Sequence, residues 1–389
     1  MQAKYRWALL SQAPKVFTDI VFRGHYDFEY DLMPCHASNM PMAKRLNLMR
    51  AGLNLFYRNL QPWSWPINMQ VELTNYCNLK CPVCPTGLGS LQRKPQAMDP
   101  ALFERLMDEV GHYLLTMSLW AWGEPLLHPE LADILRIAQN RGINTLLSTN
   151  GQNLNDDNVL KALIAYPPTC LIVALDGITD ETNTRFRVGA KLAPALDGVR
   201  ELCRMKREKG KEFPILHLRY MVMKHNEHEL SELDNFARRN HFDILTIRTL
   251  SIIDAPDDQH NIMKPDDERF RAYEYSKGKR VRRDDFSCQA AFIFPTVLAD
   301  GTVCSCEEDY NAIQRYGKLT KDNSFADIWW SKQANKIRKT IRKNLDSFSF
   351  CRTAHTKTGR FIPVASNILT CKNSHDFLHH VWFLLANSR

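Results

Sequence analysis

Between residues 68 and 249 the chain alternates two textures. Short apolar runs are followed by stretches whose apolar residues recur every three or four positions. Residues 69–74 alternate apolar and polar like a strand. The runs at 115–121, 143–148, 169–175, 215–222 and 244–249 are short and rich in apolar residues. The run 169–175 is nearly continuous, as expected of a strand covered on both faces. Between them, 100–114, 129–141, 156–165, 192–209 and 227–240 carry helical spacing. Asp99 before Pro100 predicts a capped helix start with proline at its first position. Gly142 and Gly210 close two other helices. Six strands separated by helices predict a parallel sheet of the α/β class, with ligand sites at the carboxyl ends of the strands.

Outside this region the pattern changes. Residues 43–60 carry apolar residues at helical spacing, with Arg45, Arg50 and Arg58 among them, followed by Pro62-Trp63-Ser64-Trp65-Pro66. One reading is a helix packed on the main domain. The other is a helix lying on a membrane surface, with arginines toward lipid headgroups and tryptophans at the interface. Residues 254–285 are polar and weakly periodic. The expected organisation is a basic amphipathic extension (1–66), a core (67–250), a linker (251–285) and a smaller cysteine-bearing domain (286–389).

The chain has 389 residues, 44% of them hydrophobic, enough for a sizeable core. A formal charge of +8 permits an anionic substrate, a nucleic acid or an anionic membrane surface and selects none of them. Basic runs at 277–283 and 332–343 read as a solvated loop and a solvated helix face. They lack the interleaved aromatics of a nucleic-acid module, so no specific nucleic acid is expected. No apolar run approaches the ~18 residues of a spanning helix. Residues 1–13 hold only a short apolar patch and no cleavage site. A reducing, cytoplasmic setting is expected, where clustered cysteines serve metals rather than disulfides.

Of eleven cysteines, three lie in Cys77-Asn78-Leu79-Lys80-Cys81-Pro82-Val83-Cys84, directly after the first predicted strand. Three thiolates on one short loop can turn inward together, and soft thiolates favour iron–sulfur clusters or zinc. Structural zinc takes four protein ligands, whereas this loop offers three. Three ligands on a four-iron cube leave one iron open to chelate a small molecule.

This C-x3-C-x2-C spacing resembles the motif of the radical S-adenosylmethionine (SAM) superfamily. The pattern over 69–249 covers that family's partial (β/α)6 barrel. The resemblance implies a [4Fe–4S] cluster bound with SAM, reductive cleavage to a 5′-deoxyadenosyl radical, and hydrogen abstraction from an organic substrate. It also implies an electron donor such as flavodoxin or ferredoxin. Val83 stands where the family usually has an aromatic residue. Trp122-Gly123-Glu124-Pro125 is similar to the family's Gly-Gly-Glu-Pro segment, which holds the cofactor's ammonium group. By the same resemblance Ser148 and Asn150 end the third strand beside the cofactor. Asp176, Arg187 and Asn226 sit at the same face. A turn or cap role is the plain alternative for these polar residues, and a surface ion pair for Arg187.

Cys288, Gly301 and Cys306 give C-x12-G-x4-C, similar to the opening of SPASM and twitch auxiliary-cluster domains. Residues 316–329 resemble the segment between their cysteine groups. In that layout Asp300-Gly301 turns a hairpin and points the following thiols back toward Cys288. The full SPASM pattern is not completed, because Cys351 is followed by Arg352-Thr353-Ala354-His355. The resemblance implies one auxiliary iron–sulfur cluster on Cys288, Cys306, Cys351 and a fourth ligand. Cys371 is the first choice, with Cys304 and His355 behind it. Structural zinc on the same thiols is the competing reading. Cys170 and Cys203 read as structural, and Cys35 is unexplained. The leading expectation is an enzyme acting on a small-molecule or lipid- or sugar-linked substrate. The alternatives are a peptide maturase and a non-catalytic basic zinc protein that binds nucleic acid.

Overall fold

The computed structural model describes residues 14–31, 33–57, 59–252, 263–271, 275–276, 279–281 and 288–352. An antiparallel hairpin, β1 (Tyr26–Tyr30) and β2 (Met33–Ala37), precedes helix α1 (Met42–Tyr57). Then come β3 (Asn68–Val71), α2 (Pro100–Val110), β4 (Thr116–Ser118), α3 (Leu131–Asn140), β5 (Asn144–Thr149), α4 (Asp157–Ala165) and β6 (Cys170–Ala174). They are followed by α5 (Asp180–Phe186), α6 (Leu192–Glu208), β7 (Ile215–Val222), α7 (Leu233–Arg239) and β8 (Ile244–Thr249). Strands β3 to β8 lie side by side in sequence order, all parallel. This is the parallel α/β sheet that the alternation predicts and the partial barrel that the resemblance implies.

The crossover helices cover one face of the sheet. Met69, Val71 and Leu73 share a buried cluster with Phe103, Leu106 and Met107 of α2. Strand alternation turns Gln70, Ser118, Ser148, His217, Arg219 and Arg248 to the other, inner face. There a separate apolar cluster of Leu146, Cys170, Ile172, Ile215 and Ile244 packs with Tyr30 and Trp120. Asp99 caps α2, accepting from the Ala101 N–H at 3.0 Å. The stretch 227–240 is not one helix but a 3-10 turn (Glu227–Glu229) and the short α7. Helix α5, capped by Thr179, has no strong apolar periodicity and was not legible as an element.

The C-terminal part continues the same sheet. A two-residue pair, β9 (Tyr275–Ser276) and β10 (Lys279–Arg280), leads to α8 (Ala290–Ile293), β11 (Thr296–Val297), β12 (Thr302–Cys304) and β13 (Arg315–Lys318). Helices α9 (Phe325–Trp329), α10 (Lys332–Lys343) and α11 (Ser349–Arg352) follow. β11 pairs in parallel with β3, and β12 and β13 add antiparallel strands, giving nine in all. The Asp300-Gly301 turn forms as expected, with Gly301 at φ 83°. Buried Glu72 ties the two parts together. It takes a bidentate pair from Arg93 at 2.6 and 2.7 Å and accepts the Ala299 N–H at 3.0 Å.

Several basic and aromatic residues sit differently from the sequence reading. Arg280, in the run read as solvated, is buried on Glu308 at 2.7 Å. Arg338 of the basic helix α10 is fully buried. Helix α1 buries Lys44, Asn47 and Asn54 beside Leu48 and Ala51, and it exposes Met42, Leu46, Leu53 and Tyr57. The polar buried side acts as a latch: Asn47 bonds both N–H and C=O of Trp65, and Asn54 accepts from the Trp63 N–H. Trp65 is therefore no interfacial anchor. It stacks on Tyr113 and meets Trp330 edge-on, while Trp63 is exposed. Among the described residues no helix is long and apolar enough to cross a membrane.

Candidate active site

The loop after β3 carries Cys77, Cys81 and Cys84, all half-buried. Its path depends on a close approach: a Cβ on Gly87 would lie 2.3 Å from the Cys81 carbonyl oxygen. The Cys77 sulfur accepts from the Leu79 N–H at 3.4 Å and from Asn150 Nδ2 at 3.5 Å. Burial pushes the Cys81 thiol up to about 12, against the pull of Arg187 and with Cys84, Asp176 and Cys77 adding to the rise. Burial also raises Cys77, which feels Glu124 and Cys84. The three thiols thus share one electrostatic neighbourhood. A metal group that replaces their protons relieves that neighbourhood.

Around the loop stand the ends of the next strands. The 122–125 segment is stitched to the cysteine loop. Glu124 N–H donates to the Tyr76 carbonyl, Thr74 Oγ1 to the Glu124 carbonyl at 2.8 Å, and Thr86 Oγ1 to the Trp122 carbonyl. Gly123 is required by this contact, because a Cβ there would come within 2.1 Å of the Thr74 oxygen. Pro125 opens a 3-10 turn that Glu124 caps. The Glu124 carboxylate is wholly buried and engaged by protein. It accepts from Thr149 Oγ1 at 2.6 Å and from the N–H groups of Asn150 and Leu126 at 2.8 and 3.0 Å. It orders the ends of β4 and β5 rather than projecting into open space.

Asn150 reaches from the end of β5 to the Cys77 sulfur and to Asn78 Oδ1. Ser148 lies two residues earlier on the inner face. Asp176, after β6, accepts from Arg187 Nε at 2.7 Å and from the Met221 N–H at 2.8 Å. Arg187 is therefore in a buried ion pair, not a surface one, and lies within electrostatic reach of Cys81 and Cys77. Asn226 serves the turn: it donates to the Asp176 and Met221 carbonyls and accepts from Met223 N–H.

A second cysteine group forms at the C-terminal end. The Cys306 thiol, raised well above its usual value by burial and by Glu308, also feels Cys288 and Cys351. Cys304, on β12, faces other groups, with Asp309, Arg93, Asp300 and Glu72 around it. Cys371 and His355 lie outside the described residues. Arg338 is linked to the group through Ala291 and Tyr316. It donates to the Ala291 and Trp329 carbonyls at 2.9 and 2.7 Å and lies over the rings of Trp329 and Tyr316 at 4.1 and 4.9 Å. Its Nη2 is buried with no hydrogen bond. Tyr316 in turn feels Cys288 and Cys306. A buried cation held by carbonyls and aromatic faces, one residue removed from buried thiols, suits a negatively charged metal–thiolate group.

Spacing separates a cluster from a single ion. Ligands on one zinc at about 2.3 Å can be no more than about 4.6 Å apart. Among the described residues, three potential ligand atoms fall within 4.8 Å of one another only at His25, Asp27 and His36 at the open end of the hairpin. Neither cysteine group brings three sulfurs within that distance among the described residues.

Sequence reasoning missed Asp31, Arg219, Arg248 and Arg338. The signal for two of them was present: His217 and Arg219 in β7, and Thr246 and Arg248 in β8, place polar groups at alternate positions of otherwise apolar strands.

Comparison with known proteins bears on both groups. The radical SAM superfamily matches residues 71–237, and the SPASM iron–sulfur cluster-binding domain matches residues 288–353. The chain is 26% identical over 185 residues to a tungsten-containing aldehyde ferredoxin oxidoreductase cofactor-modifying protein of Pyrococcus furiosus, covering 47% of this chain and 51% of that one. It is 27% identical over 172 residues to the mycofactocin maturase MftC of Mycobacterium ulcerans, covering 44% and 43%. The matched region thus spans about half the length of these relatives. The crystal structure of Streptococcus suis SuiB bound to the precursor peptide SuiA superposes with a TM-score of 0.56 at 14% identity, over 90% of this chain and 84% of that one. That likeness shows a shared fold. By these matches the chain belongs to the radical SAM superfamily of enzymes and carries a C-terminal SPASM domain.

Proposed function

We propose that the enzyme cleaves SAM reductively and abstracts hydrogen from a small-molecule or lipid- or sugar-linked substrate. The supporting observation is the convergence of Cys77, Cys81 and Cys84 with the Asp176–Arg187 pair at the carboxyl ends of the strands. A [4Fe–4S] cluster bound there with SAM supplies one-electron cleavage of the sulfonium and, through it, hydrogen abstraction. The chain's own residues hold and orient. The three thiolates grip the cluster, and the Leu79 N–H and the Asn150 side-chain amide stabilise the Cys77 sulfur. Arg187 offsets thiolate charge. The 122–125 segment presents carbonyls to the cofactor's ammonium group around Gly123 and Pro125, with Glu124 fixing that segment. Ser148, Asn150 and Asp176 border the rest of the cofactor. Cys288, Cys306 and Cys351 hold one auxiliary cluster with a fourth ligand, Cys371 in our reading. Flavodoxin or ferredoxin is the electron donor.

Peptide maturation is the second reading, favoured by the names of MftC and of SuiB with its precursor peptide. We assign the enzyme to the cytoplasm. The exposed Met42, Leu46, Leu53, Tyr57 and Trp63, with Arg50 among them, support a peripheral contact with the membrane's inner face. The test is anaerobic: reconstituted, reduced enzyme is given SAM, and 5′-deoxyadenosine is quantified. Formation of 5′-deoxyadenosine supports the reading. Its absence from protein that holds iron overturns it.

A further inference from the structure

The inner face of the barrel holds a second charged site, one layer below the cysteine loop. Met221 packs in the same cluster as Cys81. Arg219 is two residues before Met221 on β7, and across the ladder on β8 Met221 pairs with Arg248 and Arg219 with Thr246. Arg219 thus lies one inward-facing position below Met221 with Arg248 level with Met221, and the two guanidiniums meet at Asp31, inside the barrel from the cysteine loop. The β1–β2 hairpin reaches them from the opposite end. Tyr30 Oη bonds Ser118 Oγ at 2.5 Å. Asp31, in the left-handed region at φ 54°, bridges the two arginines, with Arg248 Nη2 on its Oδ1 at 2.7 Å and Arg219 on its Oδ2.

Three facts distinguish this arrangement from a closed structural ion pair. The side chains stay partly open: Asp31 is 26% exposed, Arg219 18% and Arg248 21%. Arg219 Nε is buried with no hydrogen bond, a donor that an entering acceptor would satisfy. Trp120 flanks Arg219, its ring 5.9 Å from the guanidinium, and supplies a flat apolar wall. The surrounding charges are Glu307, which feels Asp31 and Arg219, and His217 below. Glu307 is engaged by Gln70 at 2.6 Å. A paired guanidinium fork is the protein group best matched to a carboxylate or phosphate.

We propose that Arg219 and Arg248 bind an oxyanion group of the substrate, a phosphate or a carboxylate, in the place that Asp31 fills in its absence. This rests on the radical SAM reading above and narrows it to acidic substrates. Asp31 is a tethered competitor that shields the arginine pair until substrate arrives. The experiment uses the reconstituted holoenzyme saturated with SAM, so that anions cannot occupy the open iron. Inorganic pyrophosphate and succinate are titrated separately by calorimetry. The proposal expects binding of at least one probe, tightened about tenfold in Asp31→Asn and weakened about tenfold or more in Arg219→Gln and Arg248→Gln. Preference for pyrophosphate or for succinate identifies the group as phosphate or carboxylate. Arg248→Lys keeps the charge and serves if the glutamine variants fail to fold, as read by circular dichroism; it loses affinity by a smaller factor. Equal affinity in wild type, Asp31→Asn and the arginine variants overturns the proposal, as does no binding of either probe to Asp31→Asn. SAM cleavage by the wild-type enzyme is measured alongside. Cleavage without this binding pattern sinks the inference alone, and no cleavage sinks the reading beneath it.

Discussion

The two cysteine groups solve different problems with the same element. The first lies on a loop, half-exposed, with N–H donors at one sulfur and a cation, Arg187, that is already balanced by Asp176. The second is more enclosed, and its nearby cation, Arg338, is held by carbonyls and aromatic rings. A group that must admit a small molecule keeps polar, adjustable partners and an open side. A group that stays closed can rely on burial and on one fixed charge. The lesson is that ligand count alone does not distinguish these roles, whereas the source of countercharge does.

Removing Cys77, Cys81 and Cys84 together (each to Ala) should have the largest effect. Formation of 5′-deoxyadenosine should fall to background while the iron of the second group remains, as measured by product analysis and iron assay. Retained cleavage would end the comparison. Next, Arg338→Met removes the side-chain donor to the Trp329 carbonyl and the cation from the rings of Trp329 and Tyr316, while the Ala291 carbonyl keeps the Tyr316 hydroxyl. It should destabilise the protein by about 1–3 kcal/mol, read from denaturant midpoints, with a larger loss in cluster-loaded than in cluster-free protein. An equal loss in both would mean that Arg338 does not serve the thiolates. Gly87→Ala should cost about 1–3 kcal/mol by overpacking and lower iron in the first group only.

Smaller still is a pH effect from the barrel floor. Burial, then Arg219 and Arg248, hold His217 well below the usual 6.5. The unfolded chain takes up a proton below that value and the native one does not, so stability should decline as pH drops below about 6.5. The slope is at most about 1.4 kcal/mol per pH unit. Melting curves at several pH values should show a shallower decline in His217→Gln, which cannot titrate. The smallest expected effect is on vesicle binding: Leu46→Asp with Leu53→Asp should reduce flotation with anionic liposomes. Unchanged flotation would leave α1 a packing helix only.

Local pattern carried much of this architecture. The edges of β7 and β8 follow directly from their apolar runs, because a covered parallel strand needs little beyond burial. The Asp99 cap and the Cys77, Cys81 and Cys84 loop are likewise local. What escaped was long-range. Nothing in residues 26–37 says that their turn enters a barrel closed by strands two hundred residues later, and Arg338 reads as one more cation on a basic helix. The C-x12-G-x4-C spacing points to Cys306 and leaves Cys304 as an alternative fourth ligand. Only the end of β12 decides that Cys304 stays among the β12 side chains and Cys306 turns toward Cys288.

The parallel pairing of β11 with β3 has a mechanical corollary. The strand that leads into the first cysteine loop is bonded along its backbone to the strand that leads into the second group. The separation of the two groups is therefore set by a ladder of hydrogen bonds between peptide groups. An electron passing from one to the other would cross a gap fixed by that ladder.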